Sequence, residues 1–66
     1  MNWYNALAYV NRGIARYNLG YHQKAIADLQ KAFEYFGYQR NQLAYQKTLD
    51  LLKNLRQQIQ LAAEIA

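Results

Sequence analysis

Cysteine and proline are absent from the 66 residues, glycine occurs three times, and aspartate and glutamate together only four times. Each scarcity excludes something. Without cysteine there are no disulfides and none of the usual structural zinc sites. The same lack suits a reducing compartment, so a cytoplasmic location is expected. The lack of proline argues against a loop-rich or disordered chain. No apolar run reaches the ~18–20 residues of a membrane span, and no basic-then-apolar signal segment opens the chain, so no membrane association is expected. With one histidine and four scattered carboxylates, pairs able to perform acid–base or nucleophilic chemistry are lacking. No enzyme activity, cofactor or metal site is therefore expected, and His22 reads as a residue packed at a turn.

Apolar and aromatic mass is plentiful: seven Tyr, two Phe and one Trp are material for a core. Yet a chain this short hides only about 60% of its unfolded surface and is marginal unless something completes it. Eight basic against four acidic residues leave a net charge of +4, which gives weak attraction to polyanions. The basic residues are spread along the chain, so weak nucleic-acid binding is kept as the alternative function and not the leading one.

The pattern is helical throughout, giving an all-α fold of three segments over about residues 2–19, 22–39 and 42–64. Gly20 can supply the left-handed residue that closes the first helix. Gly13, inside that helix, costs about 1 kcal/mol of helix propensity, which close helix–helix approach would offset. The second segment carries an apolar stripe of Ala25, Ile26, Leu29, Ala32, Phe33 and Phe36. Lys24, Asp28, Lys31 and Glu34 read as its solvated face. Gly37 could end this helix, but Asn41 is a good N-cap for the next one, which favours the break at Arg40-Asn41. The third segment has a heptad-like seam of Tyr45, Thr48, Leu52, Leu55, Ile59, Ala62 and Ala66. Leu49, Leu51, Leu61 and Ile65 widen it toward a helix with two neighbours. Its polar face is Gln46, Lys47, Asp50, Lys53, Asn54, Gln57 and Gln60.

The stretch Tyr9 to Gly37 resembles a tetratricopeptide repeat. In that family a helix–turn–helix reads W-x2-L-G-x2-Y and then A-x3-F-x2-A. Here the corresponding residues are Tyr9-Val10-Asn11-Arg12-Gly13, then Ala25, Leu29 and Ala32, with Gly20 at the turn. The resemblance implies a repeat unit over residues 6–39, packed through Tyr9, Gly13, Gly20, Ala25, Leu29 and Ala32. It implies a capping helix over 41–66, since no second hairpin pattern follows. The whole of 1–66 then forms a single domain of that type. The run from Lys31 to Leu52 also resembles the closing segment of bacterial tetratricopeptide proteins.

The family's members are non-catalytic scaffolds whose partners lie along the first helix of each repeat. Carried over, that protein-binding face is Leu7, Val10, Asn11, Ile14, Tyr17 and Asn18. Val10 and Ile14 stand where repeats that grip a C-terminal carboxylate are polar, so an apolar groove for a protein or peptide is expected. The first helix is apolar on a second face as well. Either a preceding repeat or another copy of the chain should cover it. Self-association, with a dimer favoured, is expected through Trp3, Tyr4, Ala8, Ala15 and Leu19 of the first helix and Leu52, Leu55 and Ile59 of the third. Arg12 and Arg16 are expected to pair with acidic groups of a partner chain.

Overall fold

The structure is a computed structural model that describes Trp3 to Ile65, apart from the side chain of Trp3; Met1, Asn2 and Ala66 lie outside the described residues. Three helices follow one another: α1 (Trp3–Asn18), α2 (His22–Tyr38) and α3 (Gln42–Ile65). There is no strand among the described residues. The fold is all-α with a long third helix, as the periodicity predicts, and the boundaries differ from the expected ones by a residue at the ends.

Those ends have a local cause. Gly20 N–H donates to the Tyr17 carbonyl at 3.0 Å, and Tyr21 N–H reaches back to the Arg16 carbonyl at 2.8 Å. The same two bonds recur at the second turn, from Arg40 N–H to Gly37 O at 3.1 Å and from Asn41 N–H to Phe36 O at 3.0 Å. Both turns are therefore Schellman motifs, which require one left-handed residue. Gly20 adopts φ 90°, and Arg40 adopts φ 57°. The arginine accepts a conformation that costs a side-chain-bearing residue about 1–2 kcal/mol. Leu19 and Gln39, expected as helical, are the cap residues just before each reversal. Asn41 caps α3, its Oδ1 accepting the Ala44 N–H at 3.2 Å. The break thus falls at Arg40-Asn41, and Gly37 stays helical.

Two clusters hold the helices together. Ala6, Ala32 and Phe36 are buried with Tyr9, Val10, Tyr35, Ala44 and Tyr45 packed around them. Leu29, Leu52 and Leu55 form the second cluster, with Val10, Tyr17, Ile26, Phe33 and Leu51 against it. Small residues set the α1–α2 distance. A Cβ on Gly13 would lie 3.0 Å from Leu29 Cγ and 3.3 Å from the Ala25 carbonyl oxygen. The propensity lost at Gly13 is therefore spent on close approach.

The arrangement is open. α2 packs against both neighbours, while α1 meets α3 through a few side chains such as Val10 and Tyr17. The Cα atoms span 40 × 19 × 12 Å, an elongated shape set by the length of α3. The first half of the α3 seam lies on α2, with Thr48, Leu52 and Leu55 buried and Tyr45 and Ile59 half-buried. From Arg56 to Ile65 only Ile59 keeps partial cover, because α3 at 24 residues outruns α2 at 17.

Candidate functional site

α1 presents three faces. The first, toward α2, carries Ala6 and Gly13, both buried, and half-buried Tyr9. The Tyr9 ring meets that of Tyr35 at a tilt of 47° with centroids 5.7 Å apart, and it lies beneath Arg12 at 5.3 Å and Lys31 at 5.6 Å. Ala25, Leu29 and Ala32, with no exposed surface, complete this contact from α2. Gly20 sits in the turn with open space around its Cα.

The second face is the expected groove. Asn11, Ile14 and Asn18 are exposed, whereas Leu7, Val10 and Tyr17 are half-buried. Val10 and Tyr17 are shared with the core. Tyr17 ties three helices: its hydroxyl donates to Gln58 Oε1 of α3 at 2.8 Å, and its ring lies 4.8 Å from that of His22. His22 packs at the turn, and no group of three metal-ligating side chains occurs among the described residues.

The third face runs along the outside of α1. Tyr4 and Leu19 are each 72% exposed, and Ala8 and Ala15 between them are also exposed. Trp3, assigned to the same association surface, has its side chain outside the described residues. Leu52 and Leu55 do not belong to any such surface. They are 1% and 7% exposed because α2 and α1 already cover them, so the sequence-based assignment of these two to self-association is corrected. Ile59 remains half-buried.

The largest departure from expectation is at Asp28. Placed on the solvated face by its charge, it is buried, 4% exposed. It follows Ala25 by three residues and precedes Ala32 by four, which puts it at the edge of the stripe that meets α1. Arg12 binds it in a fork, Nε to Oδ2 at 3.0 Å and Nη2 to Oδ1 at 2.8 Å. Arg16 Nη1 adds a bond to Oδ2 at 3.1 Å. The two arginines thus pair within their own chain and not with a partner's acids. Arg12 and Asp28 stand equally far before and after Gly20, a signal in the sequence that charge grouping alone passes over.

The Arg12 hydrogen bonds hold the Asp28 carboxyl below its ordinary range, against the upward push of burial and aided by the charges of both arginines. A carboxyl lowered on folding contributes stability that is fully present above its unfolded value of about 3.9 and is lost as pH falls through the folded value. Unfolding free energy is therefore expected to decline on acidification from about pH 5 toward about pH 2. Urea titrations across that range should show a weaker decline in Asp28→Asn. At neutral pH this variant should lose about 1.5–3 kcal/mol, toward the lower figure because both guanidiniums keep contact with water. An unchanged acid limb in Asp28→Asn would refute this role.

A hollow of about 770 Å³ opens at the α2–α3 corner between Phe36, Gly37, Arg40, Asn41, Gln42, Tyr45 and Gln46. Its lining holds no carboxylate, histidine or cysteine, and none of the groove residues contributes to it. Among the described residues no helix is long and apolar enough to cross a membrane. Comparison with protein-family models, curated proteins and solved structures found no match to this chain.

Proposed function

We propose that the chain is a non-catalytic protein-interaction and self-assembly module of tetratricopeptide type. It takes an apolar protein or peptide segment along the groove face of α1. One observation carries the reading: α1 packs chiefly on α2, and its two other faces both carry exposed apolar side chains, Ile14 on one and Tyr4 and Leu19 on the other. The repeat-like placement of Gly13, Ala25, Leu29 and Ala32 at the α1–α2 contact supports the same reading.

Four of the eight basic residues, all on α1 and α2, are engaged within the chain, which reduces what those two helices offer a polyanion; Arg40, Lys47, Lys53 and Arg56 are exposed. Arg12 and Arg16 are occupied by Asp28, and Lys24 and Lys31 lie over the rings of Tyr21 and Tyr9. Ile14, 41% exposed at the centre of the groove, is the residue to alter. Against displayed peptides selected for binding, Ile14→Glu should weaken affinity by about tenfold or more. Its thermal unfolding curve should match that of the parent chain. Selected peptides that bind Ile14→Glu unchanged would overturn the groove. Binding to single-stranded nucleic acid that falls steeply with salt would favour the polyanion reading instead.

A further inference from the structure

We infer that the outer face of α1 is a two-fold interface with a second copy of this chain, the two α1 helices running antiparallel. The inference rests on the self-association reading above and specifies its geometry. Tyr4, Ala8, Ala15 and Leu19 occupy one line on the helix, at spacings of four, seven and four residues. That line is self-complementary. Tyr4 and Leu19 lie equally far on either side of the Asn11–Arg12 midpoint, and so do Ala8 and Ala15.

An antiparallel copy centred there sets Tyr4 against the second copy's Leu19 at both ends and Ala8 against its Ala15 on either side of the centre. Large side chains meet large ones, and paired alanines let the axes come within about 8 Å. A closed two-fold pairing of this kind uses the same patch on both copies.

Charge fits a second copy as well. The only charged residues of α1 are Arg12 and Arg16. Arg12, beside the two-fold centre, is held by Asp28 of its own chain at 2.8 Å, as Arg16 is at 3.1 Å. Arg12 of each copy therefore meets the axis with a carboxylate of its own chain beside it, and Asn11 stands opposite Arg12 as a hydrogen-bond acceptor.

The area sets the strength. Half the lateral surface of a 16-residue helix amounts to about 500 Å² at the solvent-probe radius, or about 1,000 Å² for both copies. That lies at the threshold for specific interfaces and in the range of weak, exchanging pairs. The dimer should dissociate in the range of about 10–100 µM.

Because the chain has no cysteine, single-cysteine variants report on this geometry directly. Under mild oxidation Asn11→Cys should form a disulfide dimer, since position 11 lies beside the two-fold axis. Ala8→Cys alone should not, because its counterpart lies about two turns away, yet it should couple to Ala15→Cys when the two are mixed. Sedimentation should show that Ala15→Glu stays monomeric at concentrations where the parent chain dimerises, with unchanged helicity because Ala15 is exposed. Self-coupling of Ala8→Cys, as in a parallel pair, would overturn the geometry and leave self-association standing. So would an Ala15→Glu chain that still dimerises. A parent chain that sediments as a monomer at several hundred micromolar would overturn both.

Discussion

Gly13→Leu is expected to abolish the cooperative fold. A Cβ at this position meets Leu29 Cγ at 3.0 Å, Leu29 Cδ2 at 3.2 Å and the Ala25 carbonyl oxygen at 3.3 Å. A leucine adds three more carbons in the same direction. Leu29 could shift away from a methyl group, but the Ala25 backbone could not, and α1 would have to separate from α2. Overpacking costs about 1–3 kcal/mol, and displacing Leu29 from its cluster costs about 2–5 kcal/mol more. The helix propensity regained on replacing glycine is only about 1 kcal/mol. Domains of this length have roughly 3–10 kcal/mol to lose. Far-ultraviolet circular dichroism on heating should show a broad, non-cooperative decline. Gly13→Ala separates the two contributions: propensity and crowding nearly cancel there, so its midpoint should move little. A Gly13→Leu chain with the parent midpoint would mean that α1 and α2 do not approach this closely.

Leu52→Ala should remove about 2–5 kcal/mol, the range for a buried leucine that leaves a cavity. Leu52 is 1% exposed and packs with Leu29 and Leu55, joining α3 to α2. The loss should not confine itself to α3. Without that helix the remaining hairpin has about 40 residues, near the lower limit for an unassisted core. Urea unfolding followed by tyrosine fluorescence and by helicity should therefore give coincident curves, both shifted to lower urea. Leu61→Ala is the contrasting case. Leu61 is 56% exposed on the projecting part of α3, and its removal should change stability by less than about 0.5 kcal/mol. Non-coincident curves for Leu52→Ala would show the hairpin standing alone.

Much of the fold was legible because small residues and turn residues have local meaning. Gly20 and Asn41 marked the reversals through their own backbone preferences, and Gly13, Ala25 and Ala32 marked where helices come close. What the periodicity could not provide was the identity of each neighbour. A stripe on α3 says that something covers Leu52 and Leu55, and the same letters serve an intramolecular core or a dimer seam. Asp28 failed for a different reason. Charge suggests water, and only the pairing of residues across the hairpin places Arg12 and Arg16 over it. Arg40 carried no signal at all. Its left-handed backbone is imposed by the two hydrogen bonds of the turn, which here prevail over a conformational preference of about 1–2 kcal/mol. On α1 the groove and outer faces could be drawn from spacing, whereas the sharing of Val10 and Tyr17 with the core required the position of α3.

Because α1 and α3 each pack chiefly on α2, the stability of this chain rests mainly on two contacts with α2 as the common member. In such nearest-neighbour systems a disturbance is felt by adjacent elements and fades beyond them. A change on the outside of α1 or at the far end of α3 touches one junction, whereas a change among Ala25, Asp28, Leu29, Ala32 and Phe36 can touch both at once. The central helix thereby transmits cooperativity between two outer helices, and those remain free to vary in what they recognise.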